Sequence, residues 1–382
     1  MMPDSSSTQS AADGRPGTGP GCKALHSPFD RRNPYQGRLF EALAELGIPA
    51  TGHRNPGDAA ALIARTPSST RNILHLHWLP RGFLGPGNLL EYFRFALGVR
   101  RCRRLGADVF WTVHNLYTHE SRNRRRERWL THFVIRQAAG IIVHSERAGE
   151  MFRREFRAPQ EKPIRAIPHG NYDGCYADTL EPEAARGRLG LAPEHRVVVF
   201  LGNIRPYKGV PELIQAFRTI QDERARLVIA GHVADDAAAG MITRATAEDP
   251  RIIARTGFVA DEDIQVYMKA ADAVALPYLN VLTSGACVLA MTFGRACIAP
   301  RSGCLPDFLG QQPELLYDAN QPDGLRAALQ SALSQTETTR RAGLVNRMKA
   351  DAWTWSSVAQ QTADFYRTAS RRTNGPESQN QG

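Results

Sequence analysis

The stretch that most constrains the fold is Val197 to Val210, VVVFLGNIRPYKGV. Five consecutive apolar residues, Val197, Val198, Val199, Phe200 and Leu201, have the composition of a strand covered on both faces, as strands of parallel sheets are. Gly202 lets the chain leave that strand abruptly, and a helix follows from Val210. In an open α/β sheet, ligands sit beyond the carboxyl ends of the strands, where helix N-termini turn unpaired N–H groups and the positive end of their dipole toward anions. Arg205 and Lys208 stand at that place. The turn therefore reads either as a phosphate site or as an ordinary connection carrying two solvated cations.

The rest of the chain repeats the same alternation. Strands are expected at Lys23–His26, Ile73–His77, Val109–His114 and Gly140–His144, with helices at Pro34–Leu46, Leu89–Arg104, Arg122–Ala138 and Glu146–Phe156. The pattern loosens between Pro163 and His195 into a Gly-punctuated connection, then resumes through Ala225–Ala230, Ile252–Ile253, Ala273–Leu276 and Ala296–Ala299 with helices between them. Such alternation implies parallel sheets, and 382 residues exceed what one core usually supports, so two doubly wound halves are expected. The expected divisions are a disordered tail at 1–21, a first domain at 22–180, a second at 181–355, a final helix at 356–370 and a second tail at 371–382. Neither a G-x-G-x-x-G nor a G-x-x-x-x-G-K-[ST] match occurs, which removes the main signals for nicotinamide cofactors and P-loop chemistry.

Charge separates the halves. Residues 1–180 hold 26 Lys and Arg against 16 Asp and Glu, whereas residues 181–382 hold 22 of each, so the first half carries the whole excess of +10. That half is expected to face something anionic: a membrane surface, a polyphosphate or, less well supported, nucleic acid, for which no binding module is visible. Two Arg clusters concentrate the charge, Arg100, Arg101, Arg103 and Arg104, then Arg122, Arg124, Arg125, Arg126 and Arg128. Trp129, Leu130 and Phe133 follow the second, so that helix suits an anionic lipid interface, unless its aromatics face the core and its arginines face water. Six cysteines show no C-x-x-C pair and no zinc spacing, no apolar run reaches the roughly 20 residues of a membrane span, and the chain starts on polar residues. A cytoplasmic protein, peripheral on the inner face of the membrane, is the resulting expectation.

Every strand of the first half ends in histidine: His75 and His77, His114, and His144. His75 and His77 share a strand face, but no acidic or thiol third ligand stands at a suitable spacing, so no metal is expected. His114, followed by Asn115, is the candidate base for a hydroxyl proton, with a satisfied structural histidine as the other reading. Arg32, Asn33, His77, Asn115 and His144 are the candidate acceptor-side residues, although helix capping alone would explain Asn33. In the second half NVLTSGACVLAMTFG, Asn280 to Gly294, opens a helix on Thr283, Ser284 and Gly285. That entry suits a pyrophosphate, and plain capping explains it equally well when taken alone. Together with Arg205 and Lys208 it makes two anion-seeking features on one sheet edge.

These two blocks, with GCLPDFL and a last helix after Trp353 and Trp355, resemble the GT-B glycosyltransferases of the "glycosyl transferases group one" type over nearly all of Lys23 to Arg372. NPY, HLHW, HN, IPHG, RPYKG and LTSG are similar to bacterial exopolysaccharide transferases such as the xanthan mannosyltransferases. The resemblance implies a GT-B fold, two Rossmann-like domains facing a cleft with a C-terminal helix crossing back to the first. It further implies a nucleotide-sugar donor on the second domain and a glycan or lipid-linked acceptor on the first. By it Lys208 binds the donor diphosphate, Gly202 marks the tight turn beneath it and Gly257, Phe258 and Val259 line the nucleobase pocket. Asn203 stands where the common pattern has Arg. Val281 and Leu289 stand where retaining members carry two Glu, so donor recognition leans on Thr283, Ser284 and Gly285, and inversion at the anomeric carbon is expected. The expected activity is metal-independent, cofactor-free hexosyl transfer in exopolysaccharide biosynthesis. Catalysis is assigned to His114, Lys208 and Arg205, and donor binding to Gly202, Asn203 and the residues just named. A nucleotide-sugar 2-epimerase of the same fold and a non-enzymatic nucleotide-sugar- or nucleic-acid-binding protein are the competing readings.

Overall fold

The computed structural model describes residues 21–80, 89–118, 123–310 and 312–369. The expected disordered tails and Arg122 lie outside them, apart from Gly21. The first half runs β1 (Cys22–Ser27), α1 (Pro34–Glu45), β2 (Ala50–Gly52), α2 (Pro56–Ile63), β3 (Arg71–Leu76), α3 (Leu89–Arg104), β4 (Asp108–Thr112), α4 (Arg124–Gln137), β5 (Gly140–Val143), α5 (Glu146–Phe156) and β6 (Ile164–Ala166). Its six strands pair in the order β2-β1-β3-β4-β5-β6, each with its neighbour in parallel. The second half begins with α6 (Pro182–Arg188), β7 (Arg196–Leu201), α7 (Val210–Arg218), β8 (Ala225–Gly231), α8 (Asp236–Glu248) and β9 (Ile252–Thr256). It continues through α9 (Ile264–Ala270), β10 (Ala273–Ala275), α10 (Gly285–Thr292), β11 (Ala296–Pro300), α11 (Leu305–Leu309), β12 (Leu316–Tyr317), α12 (Gly324–Ser334), α13 (Thr336–Asp351) and α14 (Trp355–Thr368). Its parallel sheet has the order β12-β11-β10-β7-β8-β9.

Burial explains why the apolar runs pair as they do. Val197, Val199 and Val228 pack on one face of the second sheet, Val198, Phe200 and Leu227 on the other, so a strand apolar at every position is covered twice. The chain then returns to the first half. In α14 the residues Val358, Ala359, Ala363, Phe365 and Tyr366 pack with Leu39 and Leu43 of α1 and with Ile73 and Phe110 of the first sheet. Arg71 ties that docking electrostatically, pairing with Asp108 at 2.8 Å and donating to the Tyr366 carbonyl at 2.6 Å.

The sequence reading leaves out β2, α2, β6, α6, α11, β12, α12 and α13. β2 and β6 have three residues each, too few for any periodicity, and the PGDAAALI of α2 is small and nearly uniform. Yet Asn55 caps α2 and Pro56 opens it, just as Asn33 and Pro34 do for α1. The basic and aromatic stripe of α4 is also resolved: Leu130 and Phe133 are buried core residues, and of the three only Trp129 is exposed. The exposed apolar face lies instead on α3, at Leu90, Phe93 and Leu97, each more than half accessible.

Candidate active site

Between the carboxyl ends of the two sheets lies a cleft of about 650 Å³. On its second-half wall the GNIRPYKG turn is clipped to the segment after β10 by the Leu279 N–H, which donates to the Tyr207 carbonyl at 3.0 Å. Gly209 permits that approach. It adopts φ +69°, and a Cβ there would lie 1.9 Å from the Pro277 carbonyl oxygen. The Lys208 ammonium consequently sits 4.4 Å over the Tyr278 ring, and the Tyr278 hydroxyl bonds Ser284 Oγ at 2.9 Å. Cation and helix entry therefore flank one tyrosine.

Ser284 caps α10, its Oγ accepting from the Cys287 N–H at 3.1 Å. Gly285, the first residue of α10, is small for a visible reason: a Cβ would come 2.7 Å from Tyr172 Oη. Thr283, Ser284, Gly285, Asn203, Arg205 and Lys208 all line the cleft, as does Val281, whose apolar side chain leaves no carboxylate at that position. Leu289 is a core residue of α10. Burial, and after it the charge of Arg205, lowers the Lys208 ammonium to about 8. A lysine so placed is primed to gain an anion. Gly202, with φ +144°, forms the turn leaving β7 but is not among the lining residues. Nor are Gly257, Phe258 and Val259, which follow β9 at the sheet edge, two strands from β7, with Phe258 88% exposed.

On the first-half wall Arg32, Asn33, His77, His114 and Asn115 line the cleft, whereas His144 is buried behind it. Asn33 does cap α1, accepting from the Tyr35 N–H at 3.1 Å. The histidines form a column across the sheet: His26 Nδ1 to His77 Nε2 at 2.8 Å, His77 Nδ1 to His114 Nε2 at 3.2 Å, His114 Nδ1 to His144 Nε2 at 3.3 Å, and His144 Nδ1 to the Ile167 carbonyl at 3.0 Å. A carbonyl only accepts, so His144 donates from Nδ1. Each neutral neighbour must then do the same, and the column ends on His26 Nε2, a buried acceptor with no partner. Burial pushes all four imidazoles well below their ordinary range, to about 3 for His144. Both nitrogens of His114 are thus engaged, which leaves no free lone pair there for a substrate proton.

Sequence spacing also missed that β1 brings His26 beside His75 and His77, making three imidazoles whose nitrogens lie within 4.8 Å of one another. His75, however, already bonds Thr112 Oγ1 at 2.7 Å and Tyr366 Oη at 2.6 Å. His169 and Tyr172, from the connection between the halves, reach the cleft as well. The Nδ1–H of His169 is held by the Gly170 carbonyl at 2.7 Å, and its ring is kept neutral by burial, which lowers it to about 4. The IPHG motif was the available signal for His169.

Comparison with known proteins agrees with this geometry. The family model described as "Glycosyl transferases group 1" matches residues 195–335, and "Glycosyltransferase Family 4" matches 90–170. The chain is 30% identical to a GDP-mannose:glycolipid 4-beta-D-mannosyltransferase of Xanthomonas campestris pv. campestris, over 73% of each chain. It is 30% identical to a D-inositol 3-phosphate glycosyltransferase of Corynebacterium glutamicum, over 88% of this chain and 80% of that one. Among solved structures, sucrose-phosphate synthase from Thermosynechococcus elongatus superposes with a TM-score of 0.67 at 19% identity, covering 91% of this chain and 98% of the other. That 30% identity to both relatives over most of each chain, on two Rossmann-like halves with a returning C-terminal helix, shows that the chain belongs to the GT-B glycosyltransferases of the glycosyl transferases group 1 family.

Proposed function

We propose that this glycosyltransferase moves mannose from GDP-mannose to a hydroxyl of a lipid-linked glycan at the cytoplasmic face of a membrane, with inversion and without a metal ion. One observation carries the reading: Lys208, its ammonium lowered by burial and by the charge of Arg205, sits across Tyr278 from the start of α10. An anion placed there meets Lys208, Arg205 and the first amides of a helix together. Departure of a nucleoside diphosphate develops negative charge at that point, and fixed cations stabilise it without reorganisation. The name of the Xanthomonas relative supports GDP-mannose as donor, a glycolipid as acceptor and a β-linkage.

Transfer places the acceptor on the opposite wall, where the basic first half faces anionic lipid. No helix among the described residues is long and apolar enough to cross a membrane, so docking would rest on surface contact. The exposed Leu90, Phe93 and Leu97 of α3, with Arg94 and Arg101 beside them, suit that contact better than α4 does. The test is release of nucleoside diphosphate from GDP-mannose and from UDP-, ADP- and dTDP-sugars, with and without lipid-linked acceptor and with EDTA. Acceptor-dependent release unaffected by EDTA, giving a β-linked product by NMR, is expected. Acceptor-independent conversion of the sugar would indicate the epimerase instead, and an α-linked product would remove inversion.

A further inference from the structure

A second cavity, of about 1050 Å³, shares three lining residues with the cleft: Asp30, Trp78 and Leu79. It lies between the loop after β1, the start of α2 and the outer face of α3. Gly98 brings those helices together, since a Cβ there would come 2.6 Å from the Gly57 nitrogen. The far wall presents Leu90 and Leu97 together with Arg94 and Arg101. A molecule with a sugar head and an apolar tail would find an aromatic face at the junction and an apolar, cationic wall behind it.

Asp30 is the one titratable residue, among the described residues, that lines both cavities. Its backbone is fixed while its carboxylate stays exposed. The Asp30 N–H donates to Gln36 Oε1 at 3.0 Å, and its carbonyl accepts from the Asn33 N–H at 3.1 Å. Buried Gln36 also donates to the Pro28 carbonyl at 2.9 Å, clamping both sides of the loop. One carboxylate oxygen accepts from the Arg32 N–H at 3.0 Å. The side chain lines both the cleft and the second cavity.

Resting on the proposed transfer reaction, we infer that Asp30 is its general base, acting on an acceptor that reaches it through the second cavity. The acceptor hydroxyl passes its proton to the Asp30 carboxylate while its oxygen bonds the anomeric carbon. The bond from that carbon to the diphosphate breaks, and its electron pair stays on the leaving oxygen beside Lys208 and Arg205. Asp30 then returns the proton to solvent. His114, with both nitrogens engaged, cannot take this part without breaking the column.

Asp30→Asn keeps the acceptor for the Arg32 N–H, so the loop should hold and thermal unfolding should not move. Its kcat should fall roughly a hundredfold or more with donor affinity within about twofold, and the acid limb of the pH profile of kcat/KM should disappear. Leu97→Asp should raise the acceptor KM severalfold at nearly unchanged kcat. A wild type that transfers while Asp30→Asn keeps most of its turnover overturns the assignment and leaves the transfer reading standing. So does loss of the acid limb in His114→Ala, or in Glu127→Gln, which removes the other carboxylate lining the cleft among the described residues, but not in Asp30→Asn. A wild type that releases no nucleoside diphosphate overturns both.

Discussion

The two walls of the cleft are built by opposite strategies. On the second-half wall the candidate residues are local: Arg205 and Lys208 occupy one turn, Thr283, Ser284 and Gly285 one helix entry, and a single tyrosine joins the two. On the first-half wall nothing is local. His26, His77, His114 and His144 come from four strand ends, separated along the chain by 51, 37 and 30 residues, and the chemistry appears only when the sheet aligns them. On the proposed transfer, a wall that meets a constant diphosphate can be written into short turns, while a wall that meets a particular acceptor depends on the whole sheet.

If that contrast is right, damage to the two walls should differ in kind. Lys208→Ala and Arg205→Ala should leave folding intact and cut turnover about a hundredfold each, about 3 kcal/mol of transition-state stabilisation. Wild-type kinetics in both would end the diphosphate reading of the turn. His77→Leu, by contrast, should act on stability. It strips the acceptor from His26 Nδ1–H and the donor from His114 Nε2, both buried. An unsatisfied buried group costs about 1–3 kcal/mol, so urea denaturation should show a loss of about 2 kcal/mol or more. An unchanged midpoint would mean that the column contributes nothing to the fold.

The second-half wall should also carry a pH signature of its own. Free Lys208 loses its proton near pH 8, and a bound diphosphate favours the charged form and raises that value. Donor affinity should therefore be full below pH 8 and weaken above it, by up to about tenfold per pH unit. Calorimetry near pH 8 in buffers of different ionisation enthalpy should show proton uptake on binding. Lys208→Ala should lose that uptake, and its persistence would assign the proton elsewhere.

The same contrast explains what could be read from sequence. Strands β7, β10 and β11 announce themselves as apolar runs because both faces are covered, and the turns that carry Arg205, Lys208 and Ser284 follow β7 and β10. The three-residue strands β2 and β6 carry no period to detect. His75 and His77 were visible as a pair, but His26 entered only through the register of β1 on β3, which places His26 opposite His75. Asp30 gave no signal at all: an exposed aspartate in a loop acquires meaning only from the two cavities that meet at it.

The smallest effect concerns the surface behind the acceptor wall, where reading helix by helix fails for the same reason. On α4 the basic residues Arg124, Arg125 and Arg126 are exposed, but Leu130 and Phe133 turn into the core, and Arg100 of α3 lies 5.2 Å over the Phe133 ring. The apolar partners for the charge come from the neighbouring helix, at Leu90, Phe93 and Leu97. Lipid docking would then divide in two: charge from both helices, apolar insertion from α3 alone. Co-sedimentation with vesicles of anionic lipid should be strong at low salt and weaken as ionic strength rises. Replacing Arg124, Arg125 and Arg126 by Gln should weaken it severalfold and flatten the salt dependence. Phe93→Ser with Leu97→Ser should weaken it while leaving the salt dependence intact. Trp129→Ser should do less than either, because it adds one exposed ring to a surface anchored elsewhere. Equal partition onto neutral and anionic vesicles, unchanged by any of these substitutions, would reduce both helices to a solvated face and leave the acceptor to find the cleft without help from the membrane.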